Sequence, residues 1–236
     1  MMMRTLSTLI LVGSCVWLTF ACQTRMAASS SPLRTPVPYM GQFVQQSLTF
    51  DLQAPSGPAQ PELFLKQHPG DKQAIKALAF KALREARLAQ ASLLTDMLLR
   101  QDPKDPMALN LMGLILWQKS HSLEDDRRAL TYFLLAVESG PQLAAARLNL
   151  GLMNLRLGQI EAAQKEFTKV KNLCPACSTA WLGTALVAYQ QGLFELAQRD
   201  IEQALLLRPE DKQAQVLKEA LSNKNPQVAV TTDPKQ

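Results

Sequence analysis

The chain of 236 residues has only two histidines, three tyrosines, three tryptophans, four cysteines and ten glycines. The two histidines, His68 and His121, have no second plausible ligand near them in the sequence, so nothing supports a metal site and no cofactor is expected. The glycines do not gather into a phosphate-binding loop. No serine-nucleophile motif and no recognisable pair of carboxylates is present either, which leaves no catalytic chemistry to build on. Runs of lysine or arginine are also missing. Between Lys72 and Asp211 there are 17 Lys and Arg against 15 Asp and Glu, so the formal net charge of +5 is no pointer to nucleic acid. The uncharged apolar run 6–20 is too short, and ends too abruptly, for a comfortable membrane span.

What the chain does have is a period. Pro69, Pro103, Pro141, Pro175 and Pro209 follow one another at 34, 38, 34 and 34 residues, with apolar side chains recurring at helical spacing between them. Ala91, Ala129, Ala163 and Ala197 keep step, each twelve residues before the next proline. A ladder of about 34 residues marks paired-helix repeats.

Within that frame the residues resemble the tetratricopeptide pattern. The last repeat carries Trp181, Gly192, Phe194, Ala197, Ile201, Ala204 and Pro209; the one before it carries Leu150-Gly151, Gly158, Ala163, Phe167 and Pro175. The first keeps Leu78-Ala79, Ala91 and Pro103, with Ala86 in place of the turn glycine and Thr95 in place of the aromatic residue. The resemblance implies an all-α, right-handed solenoid of antiparallel helix pairs: repeats 72–105, 106–143, 144–177 and 178–211, a truncated opening helix at 62–67 and a closing helix at 212–222. Leu63, Phe64 and Leu65 are expected to meet the first repeat, and Val216, Leu217, Ala220 and Leu221 the last. The second repeat keeps Met112-Gly113, Ala129, Phe133, Ala136 and Pro141 but holds four extra residues, expected as a longer surface loop within 120–128.

Ahead of the repeats, Arg4, the apolar run 6–20 and Ala21-Cys22 have the layout of an export signal over residues 1–22. It resembles a bacterial lipoprotein signal, which would make Cys22 the lipidated first residue of the mature chain. Cleaved export without lipid and an uncleaved anchor are the alternatives, and 11–15, ending at Cys15, is a competing motif. Residues 23–61, with six prolines, read as a tether, and 223–236 as a disordered tail. One apolar island, 39–52, with Phe43, Val44, Leu48 and Phe50, interrupts the tether. It is either a sticky stretch that lies on the solenoid or a short recognition segment.

In this family the first helix of each pair lines the concave surface. The register then assigns to that surface Gln73, Lys76, Phe80, Leu83 and Arg84; Asn110, Leu114, Trp117 and Gln118; Leu148, Leu152, Leu155 and Arg156; and Leu182, Leu186, Tyr189 and Gln190. An apolar strip of this kind suits an apolar or amphipathic segment of a protein partner, with Trp117 and Tyr189 as anchors. Coverage by the chain's own 39–52, or by tight superhelical curvature, is the competing reading. Lys76 and Asn110 alone do not rebuild the basic clamp with which some family members hold an acidic C-terminus.

Cys174-Pro175-Ala176-Cys177 has the spacing of an exchange-active thiol pair, but Pro175 is the repeat proline and Cys174 ends a helix. A structural disulfide, free thiols and a catalytic pair are the three readings, in that order. The whole resembles repeat lipoproteins that help assemble envelope machines: pilotins of type IV pilus secretins, other motility or secretion complexes, and adaptors of cell-wall hydrolases. The expected function is a non-enzymatic adaptor, lipid-anchored in the outer membrane and facing the periplasm. An exported thiol-disulfide protein using Cys174 and Cys177, or a self-assembling subunit, is the alternative.

Overall fold

The structure is a computed structural model, and it describes residues 57–224. The signal, Cys22, the island 39–52 and all of the tail beyond Lys224 lie outside the described residues. Ten helices and no strand occur among the described residues. A short opening helix, α1 (Pro61–Gln67), precedes four pairs: α2 (Lys72–Arg84) with α3 (Leu88–Gln101), α4 (Pro106–Lys119) with α5 (Leu123–Ser139), α6 (Ala144–Arg156) with α7 (Ile160–Leu173), and α8 (Ser178–Gln190) with α9 (Phe194–Leu207). The helix α10 (Lys212–Lys224) follows, and each helix packs on the next.

Burial separates the two helices of a pair. Three of the first helices are apolar on most sides: α4 buries nine of its 14 residues, α6 nine of its 13 and α8 ten of its 13, whereas α2, at the start of the stack, buries six of its 13. The second helices bury a stripe, with three of 14 in α3 and five of 14 in α7. A helix that is apolar all round belongs inside, and one with a stripe belongs outside.

Small and large side chains interlock to hold the pairs. A Cβ on Gly113 would lie 2.5 Å from the Phe133 ring, and one on Gly151 or Gly183 would lie 2.7 Å from the Phe167 ring. Phe167 therefore wedges between α6 and α8, two successive first helices. Where the first helix carries Ala79 or Ala185, the matching second-helix position holds Thr95 or Ile201. Side-chain size thus follows the space left by the facing residue, and Thr95 turns its hydroxyl back to donate to the Ala91 carbonyl at 2.8 Å.

The boundaries between repeats have their own chemistry. Asp71, Asp105 and Asp211 cap α2, α4 and α10, their carboxylates accepting from amides of the first turn at 2.7 to 3.2 Å. Ahead of α6, α8 and α10 the repeat proline leaves its carbonyl outside any helical ladder, and a side chain six residues on supplies the donor. Arg147 donates to Pro141, Trp181 to Pro175 and Gln215 to Pro209, at 2.7, 2.9 and 2.8 Å. Within pairs 1, 3 and 4 the turn has three residues, and its middle residue adopts a left-handed conformation: Ala86 (φ 55°), Gly158 (φ 74°) and Gly192 (φ 76°). The next amide reaches back five residues, as Arg87 to Ala82 at 2.8 Å, closing the helix in a Schellman motif.

Three expectations need correction. The four extra residues of the second repeat do not lengthen a loop: α4 has 14 residues where the other first helices have 13, and α5 has 17 where the other second helices have 14. The turn, Ser120 to Ser122, is still three residues long. Ser122 caps α5 by accepting from the Asp125 amide at 3.2 Å and donating to the Asp125 carboxylate at 2.8 Å, so the helix starts a turn early. Of the residues added at the start of α5, Leu123 and Glu124 are exposed and Asp125 is half-buried, so no packed face shifts. Leu63, 52% exposed, faces away from the first repeat, which meets Leu65 instead. On α10 the spacing of Ala214, Leu217 and Leu221 sets the inward stripe, and Val216, 47% exposed, lies on the other side.

Candidate functional site

The first helices α2, α4, α6 and α8 place the sequence-assigned concave residues in one series, and successive first helices touch one another. The lining is not an open strip. Leu83, Asn110, Leu114, Trp117, Leu148, Leu152, Leu155, Leu182, Leu186 and Tyr189 are all buried, and all but Asn110 belong to the main hydrophobic cluster. Phe80 is partly buried against the same cluster.

The polar members are engaged with neighbours. The Lys76 ammonium lies 2.5 Å from the carboxylate of Asp105, the residue that caps α4, so the cation is spent within the fold. Asn149 on α6 donates to Asn110 on α4 at 2.8 Å, tying two first helices together inside the groove. Arg156 donates to Asp126 at 2.7 Å, and Ser120 donates to the same carboxylate at 2.7 Å. The buried Asp126 therefore belongs to the join between the extended second repeat and the third. That tie, spanning 30 residues, was not legible from local spacing.

One polar group in the lining stands apart. Trp117 is 2% exposed, its ring meeting Phe133 edge-on at 6.0 Å between centroids. Its Nε1–H finds no acceptor among the described residues. A buried donor without an acceptor costs about 1–3 kcal/mol. Tyr189, the other aromatic anchor, meets Phe194 edge-on at 5.9 Å.

Cys174 and Cys177 are joined by a disulfide. Cys174 follows α7, and Cys177, 6% exposed, occupies the cap position of α8 that aspartates hold ahead of α2, α4 and α10. Beside them Lys171 sits 3.7 Å over the Trp181 ring and pairs with the buried Asp200 at 3.4 Å; Thr184 also donates to Asp200. His68 packs on the Phe64 ring at 4.6 Å, and His121 is exposed. Among the described residues no helix is long and apolar enough to cross a membrane.

Paired helices stacked through a continuous core, with the first helices of successive pairs in contact, define a helical-repeat solenoid, a class whose stacked repeats present extended binding surfaces. Residues 144–177 match the tetratricopeptide repeat, and the fold is a tetratricopeptide solenoid. A thermophilic tetratricopeptide protein of Thermus thermophilus superposes with a TM-score of 0.59 at 20% identity, over 68% of this chain and 86% of its own. PilW, a widely conserved type IV pilus biogenesis factor, gives 0.61 at 19% identity, over 73% of this chain and 80% of its own. YrrB, a tetratricopeptide protein with an unusual peptide-binding site, gives 0.51 at 17% identity, over 85% of this chain and 97% of its own. These identities speak for the fold alone. No curated protein matches the sequence. The repeat family is in general a non-catalytic scaffold with protein partners.

Proposed function

We propose that this chain is an adaptor of the bacterial cell envelope that holds an apolar or amphipathic segment of a protein partner in its concave surface. The observation that carries the reading is the series of first-helix side chains, mainly apolar, in which the cations Lys76 and Arg156 are already neutralised by Asp105 and Asp126. Such a surface favours a segment that brings apolar side chains and disfavours an acidic tail, because Lys76 is already paired with Asp105. The N-terminal signal pattern and Cys22 support export and lipid anchoring at the outer membrane, facing the periplasm. The process served is assembly of a pilus, motility, secretion or cell-wall complex; the likeness to PilW agrees with it at the level of fold.

A photo-crosslinking residue at Phe80 or Trp117, aromatic for aromatic, should capture a specific envelope protein in living cells. Recovery of no other protein sinks the adaptor reading. Cys22→Ala should abolish lipid labelling, and labelling that persists moves the anchor elsewhere.

A further inference from the structure

We infer that Cys174–Cys177 is a reversible exchange site: a dithiol attacks Cys174 Sγ, Cys177 leaves as a thiolate at the start of α8, and the repeats stay folded in both states. The inference is independent of the concave surface and of any partner held there.

The repeat itself supplies the first observation. Cys177 lies two residues after its repeat proline, as Asp71, Asp105 and Asp211 do after theirs. Those aspartates meet first-turn amides with a carboxylate, so this position of the repeat accepts an anion. No side-chain hydrogen bond caps α8 while the Cys177 sulfur is held in the disulfide. Breaking the bond places on that sulfur the charge the aspartates carry permanently, at a helix start that stabilises a thiolate. The second observation is a pair of unmet donors. Ser178 and Thr179, the two residues after Cys177, are both more than nine-tenths buried, and their hydroxyls find no partner among the described residues. A thiolate in the same turn is the acceptor that a disulfide sulfur is not.

The third observation is access. Cys174 is half-buried, with Leu173, Pro175 and Ala176 exposed around it, whereas Cys177 is buried. An incoming thiolate therefore reaches Cys174, and the sulfur that leaves is the one whose thiolate the helix stabilises. Exchange is faster the better the leaving thiolate is stabilised. The fourth is that the turn has other ties. The Cys177 amide donates to the Cys174 carbonyl at 3.0 Å, and Trp181 Nε1–H donates to the Pro175 carbonyl at 2.9 Å. These bonds hold the two cysteines side by side when reduced, ready to pair again.

The step balances. One thiolate of the dithiol bonds to Cys174 Sγ, and the Cys174–Cys177 bond breaks with its electron pair on Cys177 Sγ. The second thiolate of the dithiol then attacks its companion sulfur in the mixed disulfide and releases Cys174. The chain has gained two electrons and the dithiol departs as a disulfide; of its two protons, one ends on Cys174 and one in water.

The test compares the full chain with a peptide of residues 171–180 bearing the same disulfide, both reduced by equal dithiothreitol in one buffer and followed by mass spectrometry at the two cysteines. The folded chain should react about tenfold faster. Equal or slower reduction, the behaviour of a shielded structural disulfide, overturns the inference. Reduced thioredoxin in place of dithiothreitol separates the sources of the dithiol: the same acceleration admits a protein reductant, and acceleration by dithiothreitol alone confines the site to small dithiols. A second measurement reads the anion position without any thiol. Cys174→Ser/Cys177→Asp should melt about 2–4 °C above Cys174→Ser/Cys177→Ala, and an equal or lower Tm overturns the assignment of Cys177 as the stabilised leaving group.

Discussion

Substituting Gly151 by alanine tests the interlock that holds one helix pair to the next. The new Cβ would sit 2.7 Å from the Phe167 ring, where ordinary contact begins at 3.4 Å, so the ring must retreat by about 0.7 Å. It has nowhere to go: Phe167 is 0% exposed, and the same ring edge is met by Gly183 from the following helix at 2.7 Å. Overpacking of a closed core costs about 1–3 kcal/mol, and the double contact puts this site in the upper half, about 2–3 kcal/mol. For a solenoid of this size that is a fall in Tm of about 4–12 °C. The chain carries its own remedy, because the fourth repeat pairs Ala185 with Ile201. Gly151→Ala combined with Phe167→Ile copies that pairing, and should recover about 1–2 kcal/mol relative to the sum of the single changes. Urea denaturation of the four species in a double-mutant cycle reads all of these quantities. A Gly151→Ala cost below about 0.5 kcal/mol, or single changes that add without coupling, would refute the interlock.

Ala86→Gly should stabilise the chain by about 0.5–1 kcal/mol in the same assay, because alanine holds a left-handed φ of 55° there while Gly158 and Gly192 serve the matching turns; destabilisation would show the strain to be absent. Asp126→Asn should weaken the join between the second and third repeats by about 1–3 kcal/mol, leaving Arg156 without its ionic partner, and hydrogen exchange should rise first at the start of α5. The Ser122 hydroxyl, followed by the His121 amide, holds the Asp125 carboxyl below its ordinary 3.8. Its stabilising effect is present above that value and is lost as the pH falls through the lower folded value, so a carbon-13 titration should show a midpoint under 3.8, and one at or above it contradicts the cap. Reducing Cys174–Cys177 opens no long loop and should cost at most about 2 kcal/mol, with the helical content kept; cooperative unfolding on reduction would contradict a local role.

The paired helices were legible because their determinants are local: prolines end the second helices, alanines mark the close approaches, and the pattern of residues 144–177 is complete in itself. The placement of the four extra residues was harder to read. The Ser122–Asp125 cap, visible as a serine three residues before an aspartate, moves the start of α5 upstream and outweighs the expectation that insertions collect in loops. Register identified which side chains share the concave face, but not how closely successive first helices approach, so it left open whether Leu114, Leu152 and Leu186 are buried, which they are. The outward turn of Leu63 and Val216 depends on where a terminal helix finds its neighbour. The Asn110–Asn149 and Asp126–Arg156 ties span 39 and 30 residues and exist only once the stack has formed.

The central claim is that the concave face, and not the outer helices, holds the partner. Its most direct measurement compares photo-crosslinking residues at Phe80 on α2 and at Leu206 on α9, which is 73% exposed, in the same living cells. The account predicts one specific envelope protein captured from Phe80 and none from Leu206. Capture from Leu206 alone, or of the same protein equally from both, would contradict it.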